Sequence, residues 1–171
     1  MCTRSFDLVN TFWHLEYEKI EKLDNLQWLN TYLLPPEDQL DTISEEVVTA
    51  LKELRRFARA LFDGNISDDA MVKLNGYLAS APYYPVVETT EDRYRVTFKP
   101  DGDGIEKLFA DVALELANLM TEAHLPSVKR CQNEACGYYF LDSSKNQSRK
   151  FCSKKCNNLI KTRNFRARHK I

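Results

Sequence analysis

Cys131-Gln132-Asn133-Glu134-Ala135-Cys136, followed after fifteen intervening residues by Cys152-Ser153-Lys154-Lys155-Cys156, decides how this 171-residue chain is read. Each short-spaced pair can form a knuckle whose two thiolates face one ion, and four thiolates suit a tetrahedral zinc ion. With sulfur in all four positions no place is left for a reactive water, so the expected cofactor is one structural Zn2+ ion. An iron–sulfur cluster is the weaker alternative, because the surroundings are basic and hydrophilic. Disulfides are weaker too, since the opening Met1-Cys2-Thr3-Arg4-Ser5-Phe6-Asp7 has no export signal. Cys2 stands alone near the start.

The residues around the pairs arrange themselves in order. Tyr138-Tyr139-Phe140-Leu141 reads as a strand leaving the first knuckle, and Asp142-Ser143-Ser144-Lys145-Asn146-Gln147-Ser148 is rich in turn formers. Arg149-Lys150-Phe151 leads back to the second knuckle, from which a helix is expected to run to about Arg168. Cys156, Ile160 and Ala167 are expected on its metal-facing side, with Lys154, Lys161, Phe165 and Arg168 on another. Knuckle, hairpin, then knuckle at a helix N-terminus is the order of a treble-clef finger. Such a segment is too small to build a core alone, and the metal supplies its folding energy.

Charge divides the chain at the same place. The whole carries 24 Lys+Arg against 25 Asp+Glu, yet 12 of the basic residues and only Glu134 and Asp142 among the acids lie from Ser127 onward. A basic end on an acidic body points to a partner bearing phosphates or to docking on acidic protein. The candidate nucleic-acid contacts are Arg149, Lys150, Lys154, Lys155, Lys161, Arg163, Arg166 and Arg168, with Tyr138, Tyr139 and Phe165 able to stack on unpaired bases. No apolar run reaches the roughly 20 residues of a membrane span, so a cytoplasmic location with no membrane partner is expected. No catalytic constellation, phosphate loop or open metal site is visible, and the chain is read as no enzyme. His14 and His124 lie outside the cysteine module and read as ordinary residues.

The remaining chain reads as mainly helical. Phe6, Val9, Trp13 and Tyr17, then Leu23, Leu26, Leu29 and Leu33, predict two helices ended by Pro35-Pro36. Thr42-Ile43-Ser44-Glu45 fits a capping box for a helix carrying Val47, Leu51, Leu54, Ala58 and Leu61 and stopping at Gly64. Its Lys52, Arg55, Arg56 and Arg59 read as a solvated face. Ser67 starts a further helix to Ala79. Tyr84–Glu88 and Arg93–Phe98 predict a single hairpin turning at Thr89-Thr90-Glu91-Asp92. Ile105, Leu108, Phe109, Val112, Leu116 and Leu119 mark the clearest amphipathic helix. The fold class is therefore α+β: a helical domain with one β-hairpin over residues 1–125, and a treble-clef-like zinc finger with a basic helix over 126–171.

These residues amount to a resemblance. The tail resembles the CGNR zinc-finger domain of bacterial proteins, through Cys136-x3-Phe140-x-Asp142, Ser144-x-Asn146-x2-Arg149, Phe151-Cys152-Ser153 and Cys156-x4-Lys161-x3-Phe165-Arg166-x-Arg168. The opening Phe6-Asp7-Leu8-Val9-Asn10-Thr11 is similar to that of the companion ABATE domain. The family's label, stress-induced transcription regulation, implies a DNA partner, with RNA binding or a protein-interaction adaptor as the alternative reading and a homodimer through the helical domain as an expectation. The tetrad that names the family reads Cys156-Asn157-Asn158-Leu159 here. Asparagine for glycine is expected to keep a left-handed turn, whereas the arginine charge is lost to leucine, and Arg163 is the candidate to take over its reach.

Overall fold

The structure is a computed structural model that describes residues 4–15, 18–90, 93–121 and 125–169. Cys2, Tyr17, the turn residues Glu91 and Asp92, His124 and Lys170 lie outside these residues. The long helices form where the apolar spacing places them. Helix α3 (Glu45–Phe62) turns Leu51, Leu54, Ala58 and Leu61 inward, and α5 (Gly104–Thr121) turns Leu108, Val112, Ala113 and Leu116 to meet them. Helix α4 (Asp68–Leu78) packs along α5 and adds Leu74 to the same core. Ser44, not Thr42, caps α3: its hydroxyl accepts the Val47 amide at 3.3 Å. Gly64, at φ 85°, follows the end of α3, where a left-handed residue lets the chain turn away.

The first thirty residues differ from their periodicity. Helix α1 stops after six residues, Arg4–Val9, and a hairpin follows instead of more helix: β1 (Phe12–Leu15) pairs antiparallel with β2 (Glu18–Glu21). The reason is tertiary. Asn10 leaves the helix to bind a strand 129 positions away, and the Thr11 hydroxyl donates to the Leu8 carbonyl at 2.7 Å, closing the helix end. The second expected helix forms as α2 (Leu26–Tyr32), capped by Asn25.

This hairpin also explains a second correction. Arg55 and Arg59 are not on a solvated face. Arg55 is 7% exposed and grips both oxygens of Glu21 at 2.7 Å, with Thr11 Oγ1 at 2.9 Å. Arg59 donates to the Val9 carbonyl and to that of Phe12. The two guanidinium groups tie off backbone where α1 gives way to β1, whereas Arg56 points to water and Lys52 pairs at the surface with Asp24 at 2.7 Å. Burial pushes the Arg59 pKa down, and the neighbouring Arg55 charge adds to it.

The expected hairpin is present as β3 (Tyr83–Thr90) against β4 (Arg93–Pro100), in register from Tyr83 opposite Pro100 to Thr90 opposite Arg93. Its base is fixed to α5 by a hydrogen bond from the Tyr83 hydroxyl to the Ala110 carbonyl, 2.9 Å. Phe109 is half-buried and meets Tyr77 of α4 with ring centroids 5.9 Å apart. The last part of the chain is β5 (Val128–Arg130), β6 (Tyr139–Leu141) and α6 (Lys154–His169). Val128 and Tyr139 are buried in the same core as α3 and α5, so the cysteine module is seated on the body.

Candidate metal centre and basic helix

The first knuckle is the turn of the β5–β6 hairpin. The Cys131 amide donates to the Tyr138 carbonyl and the Cys136 amide to that of Asn133, both at 2.8 Å, and Gly137 supplies the positive φ of 69° that leads the chain back into β6. The second knuckle is the start of α6, where the Ser153 hydroxyl accepts the Cys156 amide at 3.3 Å. The two knuckles bring Cys131, Cys136, Cys152 and Cys156 together, with all four sulfurs within 4.8 Å of one another. Cys152 lies 3.7 Å from both Cys136 and Cys156. Sulfurs at the corners of a tetrahedron with zinc–sulfur bonds of about 2.3 Å stand about 3.8 Å apart. The distances are far beyond a disulfide's roughly 2.0 Å. The donor set thus fits one structural zinc ion.

Surrounding groups hold the sulfurs. The Asn133 amide nitrogen lies 3.5 Å from Cys156 Sγ, and the Cys152 amide 3.5 Å from Cys131 Sγ. Without a metal, burial pushes the Cys152 thiol up to about 11 and raises Cys136 as well. At Cys156 burial is outweighed, chiefly by the Asn133 hydrogen bond, and the pKa falls. A bound cation would ionise the set and release protons.

The remaining motif residues are framework. Asp142, buried, accepts hydrogen bonds from the Ser144 amide and hydroxyl (3.0 and 2.6 Å), the Arg149 amide (2.8 Å) and Lys129 Nζ (2.6 Å). These contacts, Lys129's first, hold its carboxyl well below the usual range and fix the turn between the knuckles. Arg149 donates from Nε to the Phe151 carbonyl at 2.9 Å and from Nη2 to that of Cys152, with its guanidinium 4.9 Å above the Phe140 ring. Its head therefore braces the second knuckle. Tyr139 is buried against the body, and only Tyr138 and Phe165 of the expected stacking aromatics reach the surface.

Helix α6 carries the other sequence-selected cations: Lys154, Lys155, Lys161, Arg163, Arg166 and Arg168 are all exposed, as is Lys150 just before it. Every residue from Lys161 to His169 is exposed, including Ala167, which was expected to face the core. The helix is held at its cysteine end and stands clear of the body beyond Ile160. Lys154, Lys161 and Arg168, seven residues apart, fall within about 40° of one another around the axis, with Arg163 and Arg166 on a second side. Beside the N-terminus of α6 lies an open groove of about 490 Å3 bordered by Arg149, Lys150, Ser153, Lys154 and Asn157. Asn157 and Asn158 sit inside the helix without positive φ, so the tetrad makes no left-handed turn.

Together these features define a structural zinc finger of treble-clef order, mounted on a helical body and presenting a basic helix. Residues 127–169 match the model of the CGNR zinc finger, and residues 4–123 match ABATE, described as a putative stress-induced transcription regulator. The chain belongs to this ABATE–CGNR family. No curated protein matches it. Among the described residues no helix is long and apolar enough to cross a membrane.

Proposed function

We propose that this protein is a DNA-binding transcription regulator of the stress-response type, acting in the cytoplasm as a homodimer joined through its helical body. The observation that carries the reading is α6: nine consecutive exposed residues, Lys161–His169, on a helix anchored only at its cysteine end. A helix with water on every side gains little from packing. Its Lys161, Arg163, Arg166 and Arg168 are placed to meet a phosphate backbone and to release counterions.

A helix about 24 Å long fits the major groove of duplex DNA. Lys150 and Lys154 border the groove at its N-terminus, where the positive end of the helix dipole favours an anion. Arg163, one turn beyond Leu159, is the residue assigned to read a base edge. Arg149 is left out of the contact set because its guanidinium braces the second knuckle. The metal's part is structural, and no catalytic step belongs to this reading.

The test is fluorescence anisotropy of zinc-loaded protein with duplex DNA, single-stranded DNA and RNA at several salt concentrations. Salt-sensitive binding strongest on duplex supports the proposal. Preference for single strands, where Tyr138 and Phe165 would stack, moves the reading to RNA. No binding at low salt moves it to a protein adaptor.

A further inference from the structure

The β3–β4 ribbon has two unlike faces. In the antiparallel register Tyr83, Pro85 and Val87 share a side with Tyr94, Val96, Phe98 and Pro100, while Glu88 shares the other with Arg95 and Lys99. The second side is mixed: Tyr84, Val86 and Thr97 also lie on it, Val86 and Thr97 partly buried, and its Glu88 carboxylate bridges Arg95 at 3.1 Å and Lys99 at 3.2 Å. The first is covered only at its base, where Tyr83 is bound to α5 and Pro100 is buried. Towards the tip it lies open: Val87 is 66% exposed, Tyr94 80%, Val96 63% and Phe98 53%. Below this open face runs an apolar groove of about 460 Å3 lined by Leu78 and Ala79 at the end of α4, Leu114 of α5, Tyr83 and Phe98.

We propose that this face is the contact between two copies of the chain. The ribbons lie apolar face to apolar face and antiparallel about a twofold axis near Val96, and the Tyr94 end of each enters the groove of the other. The proposal rests on the homodimer reading above and is independent of DNA binding.

Three observations select a second copy as the occupant. The surface is self-complementary, since one chain carries both the open apolar side chains of Tyr94 and Val96 on the outer half of the ribbon and an apolar socket at its base, as a twofold contact requires. The area is sufficient: the four open side chains present roughly 500 Å2 per copy, so two ribbons bury about 1,000 Å2, the lower bound of a specific interface. The physics of the ribbon also asks for it, because a two-stranded sheet needs a second layer and the outer half of this one has none among the described residues. The charged side, with Glu88 already paired, stays in water in this arrangement.

Sedimentation of the zinc-loaded full chain tests the proposal, with Val96→Asp and Tyr94→Ser on the apolar face and Thr97→Asp on the opposite face as control. The wild type is expected at about twice 19.9 kDa. Each apolar-face variant should weaken association by at least about tenfold, roughly 1.4 kcal/mol, with an unchanged circular dichroism spectrum, and Thr97→Asp should remain dimeric. A wild type that stays monomeric at about 0.1 mM, where a complex of 10 µM affinity would be mostly formed, overturns both this surface and the homodimer reading. A dimer that both apolar-face variants leave intact overturns the surface alone and places the twofold elsewhere.

Discussion

The side chain of Asn10 acts as a strand for the backbone of Tyr139. Its amide nitrogen donates to the Tyr139 carbonyl at 2.9 Å, and its Oδ1 accepts the Tyr139 amide at 2.8 Å. Both groups of one β6 residue are thereby satisfied by the residue that ends α1. The Tyr139 ring continues the contact, lying 5.8 Å from Phe62 and donating its hydroxyl to Asp63 at 2.9 Å. Tyr139 thus fastens the zinc module to the helical body through backbone and side chain, beside Val128 in the shared core.

Asn10→Ala should lower stability by about 1–3 kcal/mol, because it leaves a buried backbone N–H and C=O without partners. Asn10→Asp should be destabilising as well, since a carboxylate cannot donate to the Tyr139 carbonyl. Urea denaturation followed by tryptophan fluorescence measures both. A loss under about 0.5 kcal/mol for Asn10→Ala would show that the junction is not a stabilising contact.

Tyr139 gives the junction a pH dependence. Burial, with the hydrogen bond to Asp63 next, pushes its phenol from 10 up to about 12. The raised pKa means that the contribution is present in full below pH 10 and is lost as pH rises through 12. Alkaline unfolding of the wild type should therefore track ionisation of a late-titrating tyrosine, read by ultraviolet absorbance. Tyr139→Phe should shrink that late step by one tyrosine, leaving that of Tyr83, whose phenol burial also pushes to about 12. It should cost about 0.5–1.5 kcal/mol at neutral pH by removing the hydrogen bond to Asp63, an exposed carboxylate that water can then solvate. An unchanged titration curve in the variant would refute the assignment.

Zinc removal should be felt beyond the finger. Val128 and Tyr139 belong to the core that also holds Leu54 and Leu116, so loosening the module uncovers part of the body. Chelation, or Cys152→Ala, is expected to abolish near-stoichiometric zinc, melt residues 127–169 and lower the melting temperature of the helical domain. Hydrogen exchange resolved by segment distinguishes this from a finger that unfolds alone and leaves α3 and α5 at wild-type protection.

The basic residues should separate into two groups. On duplex DNA, about five to seven phosphate contacts give a log–log salt slope of roughly −4.5 to −6, and Lys161→Ala or Arg166→Ala should each reduce it by about one unit without changing stability. Arg163→Ala should cost about 1–3 kcal/mol on a specific site and relax specificity there. Arg149→Ala should act differently, weakening zinc retention and stability because it removes the brace on the Phe151 and Cys152 carbonyls. Equal slopes for all four variants and wild type would exclude phosphate contact by α6.

Much of this was legible in the chain itself. The spacing of Cys131, Cys136, Cys152 and Cys156 determined the metal site, because two short pairs can bring four thiolates round one ion wherever the body lies. The 3.6-residue apolar period determined α3 and α5, because one buried stripe is enough to define a helix, and the alternation at Arg93–Phe98 determined the ribbon. The tertiary structure decided the rest. It ended α1 at Val9 although Trp13 and Tyr17 continued the helical spacing, because Asn10 gains two hydrogen bonds from a strand that is distant in sequence and near in space. It buried Arg55 and half-buried Arg59, because Glu21 and the carbonyls of Val9 and Phe12 meet them only once the first hairpin has formed. It bound the Arg149 guanidinium to the Phe151 and Cys152 carbonyls, and it left α6 bare from Lys161 onward. A periodicity reports which side of an element is apolar, whereas the partners of a charged or amide side chain are set by what the fold carries to within about 3 Å of it.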